Sequence, residues 1–159
     1  MPPPVTVRTA PSGVKMKKGH KCTIAFALNA GIAFWEIDPV PPGLDAGTMI
    51  NTTTQHNVRW RSKAVPDLID ATPMTCTVAY DPRVRVKISS ILGVPGGITV
   101  AYPNGDTDSW WGVLKSFKPG ALVVDGMPTA AIEIELTNED PATGLEDGPA
   151  FAELAGTTI

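Results

Sequence analysis

The stretch ITVAYPNGDTDSWWGVLKSF, residues 98–117, constrains the fold more than any other part of the chain. Asn104-Gly105 lies between two β-rich runs. That dipeptide favours a two-residue type I′ turn, because both central positions need positive φ. Ile98–Tyr102 and a long return strand from about Thr107 to Phe117 are therefore expected to pair antiparallel. Neighbouring side chains in a strand point to opposite faces, so Trp110 and Trp111 cannot share one. Counted without interruption, Trp111, Val113 and Phe117 form the more apolar face and are expected to meet the core. Trp110 and Leu114 then fall on the other face, where a helix, a loop or a neighbouring subunit must cover them.

The remaining runs are also mostly strand-like. KCTIAFAL (21–28) and IAFWEI (32–37) flank Asn29-Ala30-Gly31, the pattern of a second hairpin. MTCTVAY (74–80) alternates. Thr129–Thr137 alternates strictly, placing Ala130, Ile132, Ile134 and Leu136 inside and Glu133 and Glu135 outside. One helix is expected over about 82–92. Asp81 can cap it, Pro82 suits its first turn and Gly93 can end it. Val84, Ile88, Ile91 and Leu92 supply its apolar stripe.

Three segments read as irregular: a proline-rich extended arm at 1–13, a long polar loop at 39–73, and an acidic tail at 138–159. The loop carries Trp60 between Arg59 and Arg61. At 159 residues the chain suits one domain with a core of its own. The fold class is mainly β, a sandwich or barrel of about seven to eight strands with one flanking helix.

Net charge is −3, which argues against a generally basic nucleic-acid binder. The charge is polarised. Residues 1–63 hold eight Lys/Arg against three Asp/Glu, and residues 64–159 hold five against thirteen. Cys22 and Cys76 are 54 positions apart with no CxxC pair, so they read as free thiols in a reducing compartment and not as a zinc or redox motif. No apolar run is long enough to suggest a signal peptide or a membrane span. Outside a secretory route, the sequon Asn51-Thr52-Thr53 has no role.

Chemistry-bearing motifs are missing. The sequence has no GxxxxGK[ST], GxGxxG, GxSxG or HExxH. His20 and His56 have no nucleophile nearby. Asn104, Asp106 and Asp108 imitate the start of a calcium loop, but Ser109 and Lys115 stand where Gly and Glu are needed. Lys15, Lys17, Lys18 and Lys21 read as a solvated basic turn. No catalytic residue, metal site or cofactor is expected, so the chain does not read as an enzyme.

The ordered series of elements carries a resemblance. ITVAYPNGDTDSWWGVLKSFKPGALVVDGMPTAAIEIELTNEDP resembles the closing half of tail tube (major tail) proteins of long-tailed bacteriophages, those of lambda-like phages in particular. The shared features are an apolar strand ending in Pro-Asn-Gly, an aromatic-Xaa-Gly strand ending near Ser-Phe, and a final alternating strand closing in Thr-Asn. MTCTVAYDPRVRVKISSILG is similar to the family's strand-then-helix step, and WEIDPVPPGLDAG to its loop after the second strand. The likeness is good over residues 74–141, looser over 20–73 and absent at the termini. Trp at both 110 and 111 departs from the pattern, and the immunoglobulin-like C-terminal module of some relatives is not seen.

The resemblance implies a virion structural protein, made in the host bacterial cytoplasm. Homohexameric rings would stack head to tail into a tube that conducts double-stranded DNA. Its partners would be further copies of itself, the tape measure protein inside the tube, the terminator and the distal tail protein, with no membrane involved. Polarised charge suits such head-to-tail contacts. Trp110, Leu114, Trp60, Arg59 and Arg61 are the expected inter-subunit residues. Glu133 and Glu135, together with Asp106 and Asp108, are the expected lumen-facing group, whose negative potential would keep DNA from sticking. A tail terminator or completion ring of the same fold is the alternative. Further away stands a monomeric carbohydrate-binding β-sandwich, which would also expose tryptophans.

Overall fold

Residues 98–117 form the expected hairpin, and the rest of the fold is organised around its long second strand. The computed structural model describes residues 22–103 and 105–152. The 1–13 arm, Lys15, Lys17, Lys18, Lys21, His20 and Asn104 lie outside them. In chain order the described strands are β1 (Thr23–Phe26), β2 (Leu44–Asp45), β3 (Ile50–Asn51), β4 (Lys63–Ala64), β5 (Asp70–Ala71), β6 (Met74–Ala79), β7 (Pro95–Ala101), β8 (Thr107–Pro119), β9 (Thr129–Thr137) and β10 (Ala150–Ala152). The fold is mainly β, as expected, with one short helix.

The main sheet runs β1-β7-β8-β9-β6, with β10 beside β8, and every pairing within it is antiparallel. Gly105 closes the β7–β8 turn at φ 95°, and its N–H donates to the Tyr102 carbonyl at 3.0 Å. The second expected hairpin does not form. β1 pairs with β7, while the run after Asn29-Ala30-Gly31 crosses to the far edge of the sheet. There Glu36 pairs with Val78 and Val40 with Thr75. The carboxylate of Glu36 also accepts the Ile24 N–H at 2.8 Å, so the two edges of the sheet meet and the sheet curls toward a barrel. Non-local pairing wins over a local turn here because the carboxylate satisfies an edge donor that β1 would otherwise leave open.

The helix lies where the pattern puts it, except that it ends at Ile91 and leaves Leu92 of the expected stripe exposed. Pro82–Val84 form a 3₁₀ turn, capped by the Asp81 carboxylate accepting the Arg83 N–H at 3.0 Å, and α1 spans Arg85–Ile91. Ile88 and Ile91 are buried against the sheet. Beyond the helix, Leu92 bridges to Leu114 and the Gly93 N–H donates to the Leu114 carbonyl at 3.0 Å. Gly93 has φ 76°, a value at which glycine carries no steric cost. The core holds Ile24, Phe26, Met74, Val78, Ile98, Val100, Leu114, Ile132 and Ile134 with the helix residues.

The face count of β8 fails at one residue. Leu114 pairs with Ile134 and Ser116 with Glu133, so Lys115 is the extra residue of a β-bulge. Before the bulge the even positions face inward. Trp110 is 4% exposed and Leu114 2%, and Gly112 is buried between them. After the bulge the parity flips and Phe117 packs on the core. The expectation of Trp111 inside with Trp110 and Leu114 outside is therefore reversed. An odd–even count left unbroken over Thr107–Phe117 runs across this register shift, so it puts Trp111 on the face of Phe117.

Candidate assembly surfaces

The two tryptophans are covered from opposite sides by one segment. β10 joins the edge of β8 beyond the end of β9, pairing Phe151 with Asp108 and Ala150 with Ser109. From there Phe151 meets Trp110 edge-on at 5.4 Å between ring centroids. On the other face the Trp111 indole N–H donates to the Asp147 carboxylate at 2.7 Å. β10 has little signal in the sequence, because three residues after a Gly-Pro step form no recognisable strand pattern. Trp110 keeps one liability: its indole N–H is buried without a hydrogen-bond partner among the described residues.

The four expected lumen carboxylates do not share a face. Cross-strand partners of an antiparallel pair lie on the same side, which sets Thr75, Glu133, Glu135, Val113 and Thr137 on the outer face of the sheet. Lys115, pushed outward by the bulge, donates to Glu133 at 3.1 Å and to Glu135 at 3.1 Å. These two bonds hold the Lys115 ammonium above its ordinary pKa. The strip therefore carries two carboxylates and one ammonium, not bare negative charge. Asp108 faces the other way, accepting the Tyr102 hydroxyl at 2.7 Å. Burial, and then that bond, raise the Tyr102 pKa. Asp106 sits in the β7–β8 turn, where its carbonyl accepts the Tyr102 N–H.

The expected loop at 39–73 is an arm with internal pairing. β2 pairs with β5 at its base and β3 with β4 further out. Near the tip, Asn57 donates to the Ser62 hydroxyl at 2.6 Å and to the Trp60 carbonyl at 3.0 Å. Two-residue strands carry no periodicity that a sequence reading can detect. Trp60 is 78% exposed, with the Arg59 guanidinium 5.6 Å from its ring centroid. Arg61 is exposed beside it. Leu44, Ile50, Val58, Leu68 and Ile69 are exposed along the same arm. Monomeric soluble proteins rarely display so much contiguous apolar surface, and larger exposed patches mark interaction sites.

Apolar surface is concentrated at two ends of the sheet. The arm departs where β6 begins at Met74, beside Asn138 just beyond β9. The loop joining β8 to β9 projects from the opposite end, where Pro119 pairs with Ala130 and Ala79 with Thr129. That loop exposes Leu122, Val123, Val124 and Met127. A groove of about 290 Å³ lies at the arm's base, between the arm and the C-terminal segment.

The cysteines carry no reactive signature. Burial, with Glu36 nearby, raises the Cys22 pKa and pushes that of Cys76 up to about 12. Among the described residues no cluster of His, Cys, Asp and Glu could hold a metal ion, and no helix is long and apolar enough to cross a membrane.

No family model matches the sequence, and a search of curated proteins returns no match. The fold itself has company among solved structures. It is shared with a chain of the anti-feeding prophage baseplate, determined by cryo-electron microscopy and six-fold symmetrised. The TM-score is 0.51 at 7% identity, over 73% of this chain and 87% of that one. At that identity the likeness is one of fold.

Proposed function

We propose that this chain is a structural subunit of a phage-like tail, which works by assembling with copies of itself and with other tail proteins. The observation that carries the reading is the shared fold with a chain of a six-fold phage-like baseplate. It agrees with the resemblance to tail tube proteins carried by residues 74–141. In the finer reading, homohexameric rings stack head to tail into a tube for DNA passage. The tape measure protein lies inside the tube, and terminator and distal tail proteins close its ends. Assembly takes place in the host cytoplasm before incorporation into the virion.

In this arrangement the outer face of β6, β8 and β9 lines the channel. Lys115, Glu133 and Glu135 then give it mixed charge with a negative excess, which limits sticking by DNA phosphates. Asp106 and Asp108 have no part in that face. Trp60, Arg59 and Arg61 keep their expected inter-subunit role at the arm tip, whereas Trp110 and Leu114 serve the subunit's own interior. The subunit has no catalytic function in this reading.

A ring at one end of the tail is the second reading, favoured by the similar chain belonging to a baseplate. Electron microscopy of the purified protein separates the two. Long tubes of stacked rings support the tube, and isolated rings that never stack support the end-ring. A dispersed particle that only enters structures with a foreign tail protein would overturn self-assembly altogether.

A further inference from the structure

We infer that the β8–β9 loop of one copy docks in the groove at the arm base of a second copy, forming the longitudinal contact of a head-to-tail stack. The inference rests on the self-assembly proposed above and names the surfaces that perform it.

The groove is built from both sides of the chain. Leu44, Leu68 and Ile69 of the arm give it an apolar wall, and all three are exposed in the single subunit. Asp67, Asp70 and Glu146 give it an acidic rim, and among the described residues no basic side chain lines it. The loop is its complement. Leu122 and Val124 are 74% and 98% exposed, and the Gly126 N–H donating to the Val123 carbonyl at 3.2 Å holds them on a tight turn. Exposed Lys118 stands at the base of this loop, and exposed Arg85 begins the helix at the same end of the sheet. Apolar therefore meets apolar, and Lys118 and Arg85 turn basic charge toward the acidic rim, offset in part by the exposed Asp125 carboxylate on the turn itself.

Position in the fold decides in favour of a second copy. β9 separates groove from loop by its full length, about 27 Å at about 3.4 Å per residue, so one subunit cannot fill its own groove with its own loop. Two different patches at opposite ends of one molecule make a heterologous contact. Repeated by the same operator, such a contact propagates instead of closing on a pair.

The test places a photoreactive benzoylphenylalanine at position 68 of the full-length protein, with mass spectrometry of the cross-linked peptides. A cross-link to residues 119–128 of another copy is expected. A cross-link to residues 1–21 instead, or to no other copy while rings or tubes still form, overturns the inference and leaves the proposed function standing. A wild-type protein that forms no assembly at all overturns both. In parallel, Val124→Asp and Ile69→Asp should each raise the protein concentration needed for stacking at least tenfold, with circular dichroism unchanged. Lys118→Glu should weaken stacking and Glu146→Lys should restore it. Stacking within twofold of wild type in folded Val124→Asp protein would sink the assignment.

Discussion

Replacing Trp110 by alanine tests the reversed face assignment of β8. The ring is 4% exposed and packs edge-on against Phe151, so truncation removes a large buried side chain. Such substitutions cost roughly 3–5 kcal/mol. About 3 kcal/mol is expected here, because Phe151 is itself exposed and free to settle into the space. For a chain of this size that lowers the melting temperature by roughly 6–12 °C. Trp110→Phe is the informative partner. It loses some packing, yet it also removes an indole N–H buried without a partner among the described residues, a defect that costs about 1–3 kcal/mol. The two effects oppose, so the phenylalanine variant should stay within about 1 kcal/mol of wild type. Urea unfolding followed by far-ultraviolet circular dichroism measures both. An alanine variant within about 0.5 kcal/mol of wild type, or a phenylalanine variant as unstable as the alanine one, refutes the reasoning.

Other consequences are open to the same kind of measurement. A methyl group on Gly112 would stand 2.8 Å from the Glu135 carbonyl and 3.0 Å from the Ile98 side chain. Gly112→Ala is therefore expected to destabilise by about 1–3 kcal/mol through overpacking, and a melting temperature equal to wild type would contradict that close approach. Because folding raises the Lys115 pKa above 10.5, its ion pairs contribute fully below that pH and are lost as pH rises through the raised value. Wild type should accordingly lose more stability than Lys115→Met between pH 9 and 12, and parallel melting curves would count against the bridge. With its pKa near 12 and its side chain buried, Cys76 should resist thiol labelling in native protein while Cys22 reacts first. Equal labelling rates would show that the β6 edge opens.

Much of this architecture is legible in the sequence where local signals agree with tertiary pairing. Asn104-Gly105 marks the β7–β8 turn, strict alternation marks β9, and Asp81-Pro82 with Gly93 brackets the helix. The failures have physical causes. A bulge at Lys115 leaves no compositional mark, yet it flips the facing of every residue on one side of it. Asn29-Ala30-Gly31 satisfies the rules for a hairpin, but Glu36 is drawn across the barrel to the Ile24 N–H, and no local rule sees across 12 residues. Of the candidate surface residues, Glu133 and Glu135 are legible as outward-facing. Their neutralising partner Lys115 is not, because its position depends on the bulge. Arg59, Trp60 and Arg61 were readable as an exposed cluster, while the pairing that projects them on an arm depends on strands two residues long.

Native mass spectrometry of freshly purified full-length protein bears most directly on the central claim, that this subunit assembles with its own copies. Six-subunit particles and their multiples are the predicted species, in line with rings that stack. A population that stays monomeric at every concentration, while remaining folded by circular dichroism, would contradict the account.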